Sequence, residues 1–235
     1  MELERKRDYV QKFFSETGDS YDSIVHLCTL GIDSWWKESI LNRLNKPVKV
    51  LDLACGTGIL TFAIAKRYPE CKIVGVDITE GYLKMARKKG KFLNAENVQF
   101  IQQWAEEFRS DDRFDSIASS YLAKYADLPR LVKNAAHMLN PGGLLLFHDF
   151  TYPKSRIIAS AWEIYFRLLQ GLGALRYPKW RNVFFELPDL IRNTRWVEEL
   201  SSEMRNNDLT DICVKILAFQ GATLVTGRKP FSHPR

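Results

Sequence analysis

The chain has 235 residues, 46% of them hydrophobic, which suits an α/β domain with additions and is enough for a sizeable core. Its formal charge of +6 is compatible with an acidic partner or an anionic surface without defining either. No apolar run approaches the ~20 residues of a membrane span, the charged start Met1 to Asp8 lacks a signal-peptide core, and Cys28, Cys55, Cys71 and Cys213 form no Cys-x-x-Cys pair, so a cytoplasmic protein is expected, with reduced thiols and neither a zinc site nor a disulfide framework.

Residues 1–46 read as a helical cap. Leu3, Arg7, Val10, Phe13 and Phe14 recur at three- and four-residue spacing, a break follows at Thr17 to Ser20, and Ile24, Leu27 and Leu30 lead to a pause at Gly31. Asp33 or Ser34 then caps a helix through Trp35, Trp36, Ile40 and Leu44, closed by Asn45, Lys46 and Pro47. Residues 47–154 form the core. Val48, Val50, Leu51 and Leu53 have the composition of a strand buried on both faces, Gly56 and Gly58 turn the chain, and 59–68 is a helix. A second strand, 72–77, ends in an acid; Thr79 caps the next helix, which puts Tyr82, Leu83, Met85 and Ala86 on one face and a lysine-rich surface elsewhere. Strands follow at 97–101 and 114–120, then a helix over 128–139 that tolerates Pro129 in its first turn, then the turn Asn140-Pro-Gly-Gly143 and a fifth strand over 144–150. In 155–204 an aromatic helix (155–172), an irregular stretch (173–188) and another helix (189–204) are expected. The last part, 205–235, holds strand-like runs 211–219 and 222–229 joined at Gln220-Gly221, and a tail. Strands alternating with helices predict one domain with a doubly wound, mostly parallel sheet.

The glycine turn narrows the ligand. A dinucleotide site asks for a third glycine, and Thr61 stands there after Gly56-Thr57-Gly58. Two acids are present instead. Asp52, four residues before the first glycine, suits a cationic group on the ligand, and Asp77, ending the next strand, suits a ribose diol. S-adenosylmethionine carries both; a tight turn without a ligand is the alternative.

Asp52-Leu-Ala-Cys-Gly-Thr-Gly58, followed by Val76-Asp77, resembles the nucleotide-binding pattern of class I S-adenosylmethionine-dependent methyltransferases. The turn at 140–143 and the terminal hairpin are similar to their Rossmann-like, seven-stranded sheet. The resemblance implies S-adenosylmethionine as cofactor, held by Tyr21, Asp52, Ala54, Gly56, Gly58, Asp77, Ile78, Gln103, Trp104 and Ser119. Gly56 and Gly58 would let the backbone approach the methionine part, and Asp77 would bind the ribose hydroxyls. Many members carry an acid near the adenine where this chain has Trp104, so stacking, backbone groups or Gln103 replace it, or Trp104 simply packs.

A longer resemblance, from Phe13 to Lys229, is to the ubiquinone/menaquinone biosynthesis C-methyltransferase family. It is carried by Phe14 to Tyr21-Asp22, Leu30-Gly31-Ile-Asp33 with Trp36, Val50 to Gly58, Val74 to Asp77 with Gly81-Tyr-Leu-Lys-Met-Ala86, Asp127-Leu-Pro-Arg130, Pro141-Gly-Gly143 and Gly227-Arg-Lys229. It implies C-methylation of a quinol or related aromatic or lipid-like acceptor, with the Tyr21 region folded over the methionine end and 155–200 shaping the acceptor pocket. Two features depart. The family's Arg and Asn after the fourth strand are Lys124 and Tyr125 here, and its Pro-Glu-Ser element is missing from 179–189.

Methyl transfer needs the acceptor in line with the sulfonium, and a base if a phenol or enol must first lose a proton. Tyr125, His148 and Asp149, near the carboxyl ends of strands, are the candidates; the plain alternatives are a core cap, a satisfied buried histidine and an Arg partner. Arg176 to Phe185 mixes cations with aromatics, which suits peripheral contact with a membrane, RNA, or a cover over the core. Small-molecule O- or N-methylation and non-catalytic cofactor binding stay open. No nucleic-acid partner is expected, since Ser119-Ser-Tyr-Leu122 lacks the Asn/Asp-Pro-Pro-Tyr run of many amino-methylating enzymes and no long basic stripe is evident.

Overall fold

The computed structural model describes residues 2–14 and 17–231; the side chain of Leu3 and the tail 232–235 lie outside the described residues. Helices α1 (Glu2–Phe14), α2 (Tyr21–Cys28) and α3 (Asp33–Leu41) come first. Then β1 (Lys49–Leu53), α4 (Ile59–Arg67), β2 (Lys72–Asp77), α5 (Glu80–Phe92), β3 (Val98–Gln102), β4 (Phe114–Ser120), α6 (Leu128–Met138) and β5 (Leu139–Phe150) alternate. Helices α7 (Arg156–Leu168), α8 (Ala174–Arg176), α9 (Arg181–Asn193) and α10 (Trp196–Asn206) precede the strands β6 (Thr210–Leu217) and β7 (Ala222–Arg228).

The strands form one seven-stranded sheet in the order β3-β2-β1-β4-β5-β7-β6, with β1 to β5 parallel and β7 antiparallel to both its neighbours. The hydrophobic run of β1 earns it the centre: Val50, Leu51 and Leu53 are fully buried, and strands β2 and β4 flank it. Each sheet face carries its own cluster. Phe114, Phe147, Trp196 and Leu200 belong to one, and Trp36, Ile40, Leu60 and Ile64 to the other. A third cluster, with Phe13, Ile24, Tyr125, Phe166, Trp180 and Phe184, joins α1, α2, α7 and α9 into a cap.

Three expectations need correction. The turn at 140–143 lies inside β5, because Leu139 already pairs with Phe114. From there to Leu144↔Ser116 the ladder shifts register, and Gly142 absorbs the bend at φ +77 while its N–H reaches the Lys229 carbonyl. The stretch 173–188 is helical for most of its length, and α9 runs through Pro188. Proline cannot bond the carbonyl four residues back, which is that of Phe184, and the Gln170 amide donates to this oxygen instead, at 3.2 Å. The helix expected over 189–204 is the end of α9 and the start of α10, parted at Thr194 and Arg195. Cys55 and Cys71 are buried, Cys28 is half-buried, and Cys213 is exposed on the edge strand β6. Among the described residues no His, Cys, Asp and Glu cluster suits a metal, and no helix is long and apolar enough to cross a membrane.

Candidate active site

The direction of winding reverses between β1 and β4, and the carboxyl ends of these strands open onto a cavity of about 1230 Å³, its mouth included. Two residues here hold left-handed backbone without being glycine, Ala54 at φ +56 and Tyr121 at φ +71, and both line the cavity. Gly56, at φ +55, lies on the same wall; a side chain added there would touch the rings of Tyr82 and Tyr21. Those rings sit 4.9 Å apart and, with Phe14, roof the turn. Asp77 is held by two backbone donors, Gly56 N and Thr79 N, each at 2.8 Å, so its carboxylate is fixed at the cavity edge while burial raises its pKa. Beyond it Ile78 and Trp104 continue the wall, and the Arg7 guanidinium of α1 lies 4.7 Å from the Trp104 ring, tethered by Glu107 at 2.5 Å. A strip of bare backbone, a fixed acid and an open aromatic face together fit a nucleoside-bearing sulfonium compound.

The inner end is built on a buried ion pair. Lys124 Nζ lies 2.5 Å from Asp149 Oδ1 and 3.1 Å from the Tyr121 carbonyl, with the Tyr125 ring centroid at 4.5 Å. Asp149 is 0% exposed; its Oδ1 also accepts from Phe150 N at 2.7 Å and its Oδ2 from Lys124 N at 3.3 Å, so the carboxylate is held at both oxygens. Burial lowers the Lys124 pKa, and Asp149 opposes that fall. Behind the wall, Lys37 of α3 donates to Asp33 at 2.5 Å and to Ser120 Oγ at 3.0 Å. Tyr121 OH also donates to Asp33, and Ser120 Oγ meets His148 Nδ1 at 2.9 Å. The Ser120 hydroxyl thus links Lys37 to His148, whose Nε2 is buried without a hydrogen-bond partner among the described residues. Burial together with Lys37 and Lys124 pushes the His148 pKa well down and keeps the ring neutral.

Of the residues singled out in the sequence, Tyr21, Ala54, Gly56, Asp77, Ile78, Trp104 and Tyr125 line the cavity. The others stand behind it. Asp52 accepts from Thr61 Oγ1 at 2.6 Å, Ser119 donates to the Leu53 carbonyl at 2.6 Å, and Gln103 donates from its side chain to the Glu107 carbonyl. Gly58 starts α4 at φ +86 beneath the Phe62 ring. His148 reaches the cavity through Ser120 and the Tyr121 ring, and Asp149, whose partner is Lys124 rather than an arginine, through that lysine and Phe150 N. The sequence reading passes over Ser120, Tyr121, Tyr82 and Lys37. The one available signal is Lys37 itself, a cation four residues after Asp33 on a face shared with Trp36 and Ile40.

The architecture is that of an S-adenosylmethionine-dependent methyltransferase. Among solved structures, the chain superposes on geranyl diphosphate C-methyltransferase from Streptomyces coelicolor with a TM-score of 0.62 at 14% identity, over 84% of this chain and 79% of that one. The model of the ubiE/COQ5 methyltransferase family matches residues 2–217, and the chain belongs to that family. Curated relatives include the ubiquinone/menaquinone biosynthesis C-methyltransferase UbiE of Geobacter sulfurreducens, 28% identical over 97% of this chain and 91% of its own length. The protein of the same description from Escherichia coli is 33% identical over 73% and 71%. The demethylmenaquinone methyltransferase of Chlorobaculum tepidum is 27% identical over 86% and 84%.

Proposed function

We propose that the protein methylates a ring carbon of a quinol or related aromatic, lipid-like acceptor, a reading supported by relatives named as a demethylmenaquinone methyltransferase and a ubiquinone/menaquinone biosynthesis C-methyltransferase. The observation that carries this reading is the make-up of the chamber beyond the glycine turn. Its outer wall is Phe166, Trp180, Val183, Phe184 and Leu187, and one buried ammonium, Lys124, stands at its inner end. An apolar chamber accepts a hydrocarbon tail, and a fixed cation at its inner end orients an oxygen-bearing ring, while Arg7, also on the wall, lies over Trp104.

S-adenosylmethionine, when bound, supplies an electrophilic methyl group; Gly56, Ala54, Asp77, Ile78 and Trp104 are the residues to hold it. Carbon attack requires electron density pushed from a neighbouring hydroxyl into the ring. The Lys124 ammonium has three N–H donors, of which Asp149 and the Tyr121 carbonyl take two. The third serves the acceptor oxygen and favours its ionised form, whose proton leaves to solvent on binding and whose electron density feeds the ring carbon; once that carbon carries the methyl group, its own proton passes to the oxygen and the ring becomes aromatic again. Asp149 keeps Lys124 charged and in place, acting through it rather than as a base. Tyr21, Tyr82, Tyr125 and Phe14 close the space between the two ends and exclude water. An acceptor of this kind resides in a bilayer, which makes the chain a peripheral partner of the membrane surface.

The test is mass spectrometry of products from a panel of demethylquinols, naphthols and amines, with the methylated atom assigned by NMR. Transfer to a ring carbon is expected, and Lys124→Gln should lower kcat about 100-fold or more at unchanged S-adenosylmethionine affinity. Exclusive transfer to oxygen or nitrogen, or full activity in that variant, would sink the reading.

A further inference from the structure

Helix α7, a π-turn at Leu169–Gly173 and α8 form one helical run from residue 156 to 176. Its inner side belongs to the cap: Phe166 and Leu169 are buried there, and Trp162 packs against the same cluster. An outer side made of polar residues would complete an ordinary surface helix. Instead Ile157, Ile164, Leu168, Leu172 and Leu175 follow at steps of seven, four, four and three residues, one helical stripe, and are between 55% and 84% exposed. The stripe continues sideways. Tyr165 OH donates to the Leu27 carbonyl at 2.8 Å, which brings the exposed Leu27 and Leu30 at the end of α2 beside it.

Cations outnumber acids on and next to this run: Arg156, Arg167 and Arg176 lie within it and Lys154, Lys179 and Arg181 in the adjoining sequence, and none of the six has a carboxylate partner among the described residues. The acid on α7, Glu163, is neutralised by Arg192 at 2.7 Å. Arg176 and Arg181 rest on the rings of Tyr177 and Phe185, each with its centroid at 5.1 Å. An apolar stripe along a helix, edged by unpaired cations and aromatic rings, is the arrangement that lies in the plane of an anionic lipid surface, with aliphatic side chains among the acyl chains and cations at the phosphates.

We propose that the outer face of the 156–176 run, with Leu27 and Leu30, docks on an anionic lipid bilayer. The same two helices, α7 and α2, give Phe166, Val25 and Cys28 to the cavity wall, so the docked face is the back of the acceptor chamber. Docking concerns the outer surface and stands whether or not the acceptor is a quinol; entry of the acceptor from the bilayer rests on that reading.

The experiment is co-sedimentation of the full chain with vesicles of phosphatidylcholine alone and of phosphatidylcholine with phosphatidylglycerol. Binding to the second and little to the first is expected, weakened by salt. Leu172→Ser with Leu175→Ser should lower partitioning about tenfold or more, while Phe92→Ser with Leu93→Ser, an exposed apolar pair elsewhere, should not. Unchanged thermal melting and an unchanged kcat/KM on a short-chain, water-soluble acceptor show that both variants fold and that the methylation site is intact. Binding to neither vesicle, binding that survives loss of the stripe, or a dimer in solution that the stripe variant abolishes, would overturn the proposal; failure to methylate a quinol would not.

Discussion

Asp52 is the buried penultimate residue of β1, and burial raises its carboxyl pKa to about 7 in spite of the hydrogen bond from Thr61. In the unfolded chain it titrates near ~3.9. The folded state therefore holds a proton that the unfolded state has released between those two values. Stability from this group is fully present below about pH 4 and is lost as pH rises through about 7. Asp52→Asn keeps the acceptor for Thr61 and removes the titration. The variant should melt higher than the parent at pH 8 and close to it at pH 4, in calorimetric scans without ligand; equal melting at pH 8 would place the charge elsewhere. Gly58 poses a different constraint, since a β-carbon would lie 2.6 Å from the Phe62 ring on top of the φ of +86. Gly58→Ala should cost about 1–3 kcal/mol in urea unfolding, although the residue does not face the cavity.

Helix α9 shows how tertiary contact overrides a local signal. A proline preceded by aromatic and cationic residues reads as a break, yet the carbonyl that Pro188 leaves free finds Gln170 from the neighbouring π-turn. Gln170→Ala should destabilise the protein by about 1 kcal/mol, and less in a Pro188→Ala background where the helix supplies its own donor; additive effects would refute the link. By contrast β2 and β4 occupy the residues expected of them: β2 is an apolar run from Ile73 to Val76, as a strand buried on both faces requires, and β4 is buried from Ser116 to Ser119 although serine supplies three of its residues. The donor end of the site is legible for the same reason: Gly56 and Asp77 are fixed by strand ends. Its inner end is not. Lys37 comes from α3, Ser120 from the end of β4 and Tyr121 from the residue after it, with Lys37 and Ser120 83 residues apart, and only the folded sheet brings them together.

Across the whole molecule, the cap has a cluster of its own, separate from the two that pack the sheet, and the cavity lies between them. A ligand that touches both must tie them together. S-adenosylhomocysteine at 100 times its Kd should raise stability by about 2.7 kcal/mol and slow amide exchange in α1 and α2, whose residues Val10, Phe14 and Tyr21 line the space; stabilisation without slower exchange in the cap would show that the ligand binds the sheet alone.

The four cysteines differ enough to be told apart by chemistry. Burial pushes the thiol of Cys28 up to about 12 and that of Cys71 up to about 11, and Cys55 lies well above its ordinary value, so none of the three supplies thiolate at neutral pH. Cys213 is exposed on the edge strand. A maleimide dye added in slight excess to the unaltered chain will attach there first, at a point that touches neither the cavity nor the apolar stripe. Ligand uptake and vesicle docking can then be followed by fluorescence on the same molecule, with no residue replaced.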